Sequence, residues 1–417
     1  MNDMERIQRG LEEFLQKQAE EQEYREDWDV RRPARRSTGK SAGKSTGKSA
    51  GKSAGKSAGK SVGSSAGRGT VSRKRSIGGR GSRRESQEQS RKQSRKQQSR
   101  KKKRFSIKRF LLTAVLLLAL LAGGLYYVVG RVYSKLNYHE IENLTSAPMK
   151  EDGVINILLI GNDSRKNGED GRSDAMILLS VSAKTKKIYM TSLLRDMYVE
   201  IPGHDNNRLN AAYSFGGAEL LMETVEQNLG ITVNRYMLVN FEAFANLVDA
   251  VGGVDLELSS AEIEWVNAYL NEYNLLTEKE FGTDYMDTSA EGMVHLNGPQ
   301  ALAYTRNRYI GTDFGRTERQ RKVLKEVIHK LPGGLVKNPG LLIDGLMPNL
   351  TTNLTQWECY QLSLSAPAML TYDIEQGSIP LQDTYRNATI RKMAVLEVDF
   401  DANKKYLHEL LFGAQED

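Results

Sequence analysis

The sequence predicts an α/β protein: a single extracellular α/β/α domain with a mixed central sheet, preceded by one transmembrane helix and a disordered cytoplasmic tail. Three observations predict it. Phe110 to Gly130 is a run of 21 residues without a charge. Charge divides around that run: residues 31–110 carry 28 basic and 2 acidic residues, whereas residues 111–417 carry 27 basic and 40 acidic. Beyond the run, strand-like and helix-like patterns alternate. A chain split this way is not a uniformly basic nucleic-acid-binding protein, despite a net charge of +7. With Cys359 as the one cysteine, an intramolecular disulfide framework and a multi-cysteine metal site within one chain are ruled out.

The tail comes first. Residues 1–30 hold 4 basic and 10 acidic residues and place Leu11, Phe14 and Leu15 at helical spacing, a pattern shared by an amphipathic helix and a frayed polar one. From Gly39 to Gly67 glycine falls every fourth residue, mostly within Lys-Ser-Ala-Gly. Such a stretch has almost no apolar surface to offset the entropy of ordering, so residues 37–69 are expected to be disordered, and the Arg/Lys/Ser/Gln stretch to Arg104 likewise. Within the repeat, Gly39-Lys40-Ser41-Ala42-Gly43 fits G-x-S-x-G and Ser41 to Lys44 fits S-x-x-K. Neither sits on a strand-turn-helix that holds a nucleophile in place. The recurring Gly-Lys-Ser has glycines four apart, where a phosphate-binding loop needs them five apart after a strand.

At 1.5 Å per residue the apolar run spans roughly 30 Å, the hydrocarbon thickness of a bilayer. Arg109 and Arg131 flank it, Tyr126 and Tyr127 stand near one end, and Lys101–Arg104 with Lys108 lie before it. The excess of basic residues on the N-terminal side places residues 1–109 in the cytoplasm and 131–417 outside. The expected organisation is a tail over 1–109, a span over 110–130, a linker over 131–149 and a domain over 150–417 with core motifs in 150–330.

In that domain, Val154–Ile160, Ala175–Val181, Ile188–Leu194, Tyr236–Val239 and Val254–Leu258 read as strands. Gly217–Asn228, Phe241–Val251 and Arg316–Lys330 read as helices. Residues 260–290, rich in Glu, Asn, Tyr and Thr, look like an insertion. Residues 350–417 add strands and a final helix without forming a separate domain.

The five histidines form no metal pair: His139-Glu140 starts like H-E-x-x-H, but Asn143 stands in the second position. Charged residues at strand ends are more informative. Asp163 and Arg165 follow the first strand, Arg172 and Asp174 open the second, and Arg195 and Asp196 follow the third. Ligands of open α/β sheets gather at the carboxyl ends of strands. If the second strand runs antiparallel to its neighbours, Asp163, Asp174 and Arg195 meet in one cleft. Asp196, beside Arg195, reads as a structural partner. Further on, Arg306, Arg308, Arg316, Arg319 and Arg321 fall within 16 residues of an acidic domain. Arginine presents a planar charged fork to phosphate oxygens, and aspartates hold Mg²⁺ through oxygen. Together they suggest a polyphosphate group with a divalent cation. The plainer reading, a solvated charged helix with Lys322 pairing Glu318 or Glu326, suits Arg321, Lys322 and Lys325 better than Arg306 and Arg308.

NILLIGNDSR, GRSDAMILLS, SLLRDMYVEIPG, RLNAAYSFGG, FEAFANLVDAVGGVDLEL, LNGPQALAYTRNR and DFGRTERQR resemble, in order, the blocks of the LytR-CpsA-Psr (LCP) family. The resemblance implies a membrane-anchored phosphotransferase. It would move a glycopolymer (teichoic acid, capsule or another secondary polymer) from a polyprenyl-pyrophosphate carrier to a peptidoglycan sugar hydroxyl, forming a phosphodiester. It also implies Mg²⁺ (or Mn²⁺) on Asp163 and Asp174, and pyrophosphate binding by Arg195, Arg306 and Arg308. Arg316, Arg319 and Gln320 fall in the block that closes the site, and Arg165 and Arg208 are further pyrophosphate candidates. An apolar lipid tunnel between sheet and helices is implied as well. Two other readings stand beside this one: a pyrophosphatase with water as acceptor, and a non-enzymatic envelope regulator whose working part is the basic tail. The tail suits anionic lipid heads at ~1 kcal/mol per basic residue, an acidic partner, or simple solvation. No aromatic residue interleaves the basic run between Arg31 and Arg104, so base stacking and a specific nucleic-acid partner are not expected.

Overall fold

The computed structural model describes residues 83–141, 147–162, 173–308 and 310–413, with side chains from Ile107 onward. The expectations for residues 1–30 and 37–69 lie outside the described residues, as do Asp163, Arg165 and Arg172.

Helix α1 (Arg83–Tyr133) carries the apolar run, and its stretch Ile107–Tyr133 is long and apolar enough to cross a membrane. The helix starts at Arg83, within the Arg/Lys/Ser/Gln stretch that ends at Arg104. Helix nucleation is costly and propagation cheap, and Arg, Lys and Gln are good helix formers, so an apolar helix extends readily into such flanking sequence. The chain divides into two compact units near Ala119. The second holds the end of α1 and everything that follows it.

That unit is a mixed sheet. Strands β1 (Asn137–Tyr138), β2 (Lys150–Glu151), β3 (Val154–Asn162), β4 (Ser173–Ser182) and β5 (Lys187–Leu193) come first. A two-stranded ribbon follows, β6 (Tyr198–Val199) with β7 (Asn207–Arg208), then helix α2 (Leu209–Leu229), β8 (Arg235–Val239) and helix α3 (Phe241–Ala250). Next come β9 (Val254–Leu258), α4 (Ser260–Leu276), β10 (Gly292–Leu296), α5 (Gly298–Arg306) and α6 (Asp313–Lys337). The chain ends in β11 (Leu350–Thr352), α7 (Gln356–Met369), β12 (Asp373–Ile379), β13 (Tyr385–Ile390), β14 (Met393–Val398) and α8 (Phe400–Phe412). The sheet order is β1-β11-β8-β3-β4-β5-β12, with β2 beside β3. β4 is antiparallel to both β3 and β5, while β3 pairs β8, and β5 pairs β12, in parallel.

Alternation along the strands assigns the two faces. Leu158 and Ile160 of β3 and Tyr189 and Leu193 of β5 pack with α2 and α8. Ile155 and Ile157 turn the other way, onto Leu354 and α7. α6 lies on that second face, where Arg321 Nη1 donates to Ser192 Oγ at 2.6 Å. A further core joins the antiparallel β9–β10 pair to α4, α5 and α6 through Val254, Leu258, Ile263, Leu270, Tyr304 and Val323.

Three differences from the sequence reading have physical causes. α2 begins eight residues before Gly217, because a kink at Gly216–Gly217, with Gly217 at φ 68°, lets the chain resume as helix in a new direction. α6 runs on to Lys337 despite Pro332. Residues 260–290 are no insertion: α4 opens on a Ser259–Glu262 capping box and buries Ile263, Val266 and Leu270 in the core.

The C-terminal segment braces the turn after β5. Leu194 N donates to Ile379 O at 2.9 Å, and Leu396 N donates to Asp196 O at 2.8 Å.

Candidate functional site

The site gathers around one carboxylate. Gly161 of β3 pairs Ala175 of β4, and Asn162 pairs Ser173, so Asp174 is the extra residue of a β-bulge. A bulge bends the strand and re-aims the side chain it carries. Gly161 permits this crossing, since a Cβ there would lie 3.0 Å from Ala175 Cβ.

Asp174 Oδ1 accepts from Arg195 Nη1 at 3.0 Å, and Oδ2 accepts from Arg308 Nη2 at 3.0 Å. Its backbone carbonyl accepts from Arg316 Nη1 at 3.0 Å. Arg195 stands just past β5, so the antiparallel β4 does bring Asp174 and Arg195 to one sheet edge. Arg308 follows the end of α5, and its backbone N–H donates to Tyr269 Oη at 3.2 Å. Two more carboxylates space the arginines. Asp196 lies 3.6 Å from Arg195 Nε and 3.3 Å from Arg208 Nη1. Asp313 lies 3.9 Å from Arg195 Nη2 and 3.3 Å from Arg316 Nε.

The electrostatics follow from that crowd. Burial pushes the Asp174 carboxyl up, but the guanidiniums of Arg308, Arg195 and Arg316 outweigh it and hold the pKa at about 2. Burial, with Asp313 beside it, pushes Asp196 above the usual carboxylate range against the pull of Arg195 and Arg208. Burial likewise opposes ionisation of Asp313, where Arg316, Arg195 and Arg308 prevail and lower it. Four guanidiniums therefore face three carboxylates among the described residues. With side-chain exposures of 21% for Arg195 and 36% for Arg308, the excess positive charge is open to an anion from solution.

The contacts of the remaining candidates lie elsewhere. Arg306 ends α5 with its guanidinium 4.5 Å above the Phe241 ring and Nη2 3.0 Å from Glu272 Oε1. No described contact joins it to Asp174. Arg319 Nη2 donates to Asn307 O at 2.6 Å and to Ile310 O at 3.1 Å, holding the segment that carries Arg308. Gln320 has a buried Oε1 without a hydrogen-bond partner. Lys322 pairs Glu318 on the surface at 2.9 Å. Sequence reasoning missed Phe241, Tyr269, Glu272 and Asp313. Asp313 alone had a usable signal, standing at the start of a helix three residues before Arg316.

An ionised Asp174 offers the oxygen-donor type a hard cation takes, but each of its oxygens already accepts from a guanidinium. The carboxylate is ionised across the neutral range, and a carboxylate oxygen that accepts one hydrogen bond retains a second lone pair. No group of three or more His, Cys, Asp or Glu side chains able to hold a metal occurs among the described residues.

Asp174 also makes stability depend on acid. A depressed folded-state pKa contributes stability above the unfolded value near 3.8, and that stability is lost as pH falls through about 2. The full contribution is about 2 kcal/mol. Asp174→Asn is expected to flatten the acid-unfolding curve between pH 4 and 2 and to lower stability at pH 7, as read by thermal melts across that range.

Comparison with known proteins decides the family. The LytR_cpsA_psr family model matches residues 126–409. The chain belongs to the LytR-CpsA-Psr family. Among its LytR-CpsA-Psr relatives, a polyisoprenyl-teichoic acid–peptidoglycan teichoic acid transferase TagU of Enterococcus faecalis is 34% identical over 295 residues, covering 68% of this chain and 90% of that protein. A TagU of Bacillus mycoides is 32% identical over 268 residues, covering 61% of this chain and 81% of that one. A solved structure of TagT bound to LIIa-WTA matches with a TM-score of 0.52 at 26% identity, over 66% of this chain and 99% of that one. TagT bound to LI-WTA matches with a TM-score of 0.50 at 28% identity, over 64% and 95%. The LytR-CpsA-Psr core thus accounts for the sheet and its flanking helices, while residues 1–125 precede the matched segment.

Proposed function

We propose that this chain is a membrane-anchored phosphotransferase. It moves a glycopolymer from a polyprenyl-pyrophosphate carrier to a peptidoglycan sugar hydroxyl. The observation that carries this reading is the cluster of Arg195, Arg308 and Arg316 around the ionised Asp174, with Arg208 on the neighbouring Asp196. The names of the TagU relatives, teichoic acid transferases to peptidoglycan, support the same reaction.

Phosphoryl transfer asks a protein mainly for positioning and for neutralisation of spreading charge. The sugar hydroxyl oxygen attacks the phosphorus that bears the glycan. The bond to the bridging oxygen breaks, and polyprenyl monophosphate leaves with the bond's electron pair. Arg195 and Arg308 bind the phosphate oxygens in this scheme, and Arg316 holds the carbonyl of Asp174 in place. Arg306 shapes the wall through Phe241 and Glu272, and Arg319 keeps Arg308 in register. A divalent ion, Mg²⁺ or Mn²⁺, held by Asp174 with Asp163 would supply charge neutralisation at the pyrophosphate. With its pKa at about 2, Asp174 is a poor proton acceptor, which favours the metal-holding role and leaves the hydroxyl proton to another base. The span Ile107–Tyr133 is read as a single membrane crossing with the domain outside, because the basic cluster lies on its N-terminal side.

The test uses the reconstituted full-length protein with Mg²⁺, a polyprenyl-pyrophosphate-linked saccharide and short uncrosslinked peptidoglycan chains. Mass spectrometry is expected to find sugar phosphate joined to the glycan only when all components are present. Release of polyprenyl phosphate at the same rate without peptidoglycan would replace the transferase with a hydrolase. No turnover and no lipid binding would overturn both.

A further inference from the structure

The exposed face of α7 has no charged side chain. Over Gln356–Leu370 the one charged residue is Glu358, which is buried against Arg235. What remains outward includes Trp357, Leu364 and Leu370, each more than half exposed, with Ala366, Pro367 and Ala368 between and the uncharged Gln361 and Ser365 beside them. An outward apolar surface of this kind on a charged domain calls for a partner.

Its position says which partner. Tyr360 Oη donates to the carbonyl of Ala122 at 3.3 Å, and the Tyr126 ring lies 5.4 Å from Tyr360 and 6.4 Å from Trp357. Ala122 and Tyr126 belong to the apolar run that ends at Gly130. At 1.5 Å per residue they sit roughly 12 Å and 6 Å inside that end. The connection is fixed rather than a loose tether. Lys135 pairs with Asp344, Leu136 packs on Leu342 and Leu346, and β1 adds directly to β11. A domain joined this way to a spanning helix holds the start of α7 level with the last ~12 Å of the apolar run, among the upper acyl chains just beneath the headgroup zone where tryptophan and tyrosine are favoured.

We propose that α7 docks in the membrane interface, with Trp357 and Leu364 seated among lipid headgroups and upper acyl chains. The docking rests on the reading of α1 as a membrane span, and it holds for either orientation of the chain. It fixes the height and tilt of the sheet above the bilayer, so that the Asp174–Arg195 edge meets a lipid-borne pyrophosphate at a set distance from the membrane.

The test is tryptophan depth in vesicles carrying acyl-brominated phosphatidylglycerol, with the full-length protein reconstituted. Trp28→Phe with Trp265→Phe leaves Trp357 as sole reporter. Adding Trp357→Phe gives a tryptophan-free chain for Leu364→Trp, which probes the helix a further two turns along, and for Tyr127→Trp, which reports the span itself. Trp357 and the Leu364→Trp reporter are expected to emit at short wavelength, to lose most of their emission to brominated lipid and to resist iodide. If the Tyr127→Trp reporter is quenched by lipid while the Leu364→Trp reporter is quenched only by iodide, the span stands and the docking is overturned. If the Tyr127→Trp reporter is itself open to iodide and blind to lipid, the spanning reading fails and takes the docking with it.

Discussion

Arg195→Ala is expected to lower transfer by about 10²–10³-fold while the domain stays folded. Arg195 is the one described side chain that faces all three carboxylates of the cluster, Asp174, Asp196 and Asp313. In the proposed reaction its removal strips a charged fork from the place where the transferred phosphoryl group spreads its charge. Folding has other supports: Asp174 retains Arg308, and Asp196 retains Arg208. The stability cost is therefore about 1 kcal/mol, a few degrees of melting temperature. Arg195→Lys keeps the charge and loses the fork, and falls between the two. The rate of joining in the presence of Mg²⁺, measured beside a thermal melt, checks both halves. Wild-type transfer by the alanine variant would remove Arg195 from the site.

The second large effect is on stability. Arg235→Met is expected to cost about 3–5 kcal/mol, because it leaves the Glu358 carboxylate buried without its countercharge. Arg235 is 1% exposed and its Nε donates to both oxygens of Glu358 at 3.0 Å. The same guanidinium donates to Asn234 O at 2.8 Å and to Ala147 O at 2.9 Å. Glu358 in turn caps α7, accepting from Thr355 N at 2.9 Å. Burial opposes the charge on Glu358, and the bonds from Arg235 and Thr355 reverse that, so its carboxyl ionises more readily than usual. Adding Glu358→Gln to Arg235→Met removes the stranded charge and is expected to restore part of the loss. Thermal melts of the two variants in detergent compare them. Equal melting temperatures would mean that the carboxylate finds another partner.

The half of the site that was legible in the sequence consists of residues at strand ends. Asp174 and Arg195 flank apolar runs, and the antiparallel arrangement of β4 was the one condition needed to bring them together. The bulge was not legible, because nothing in SDAMILLS marks Asp174 as the residue without a partner on β3. α4 misled for a different reason. Its Asn267, Asn271 and Asn274 look like a solvated surface, yet all three are buried. Asn267 and Asn274 donate to the carbonyls of Met286 and Thr283, each at 2.9 Å, stitching the 283–286 segment to the helix. Polar side chains that satisfy a loop's backbone from inside carry the composition of a surface. With α4 read as an insertion, Tyr269 and Glu272 could not be placed against Arg308 and Arg306. Arg235 was hidden similarly, since its countercharge stands 123 residues away in sequence.

The braces on the turn after β5 have a consequence for how the protein is made. The strands that define the sheet's centre leave the ribosome early, and Arg195 emerges with them. The backbone groups that pin its turn, at Ile379 and Leu396, are synthesised well after it, far along the chain. At 5–20 residues per second, a nascent chain holds Arg195 without its final supports for on the order of 10–40 s. The turn that carries Arg195 is thus completed after the centre of the sheet, and a chain cut short before Ile379 would retain most of the core residues around β3 and β4 while lacking the turn's backbone anchors.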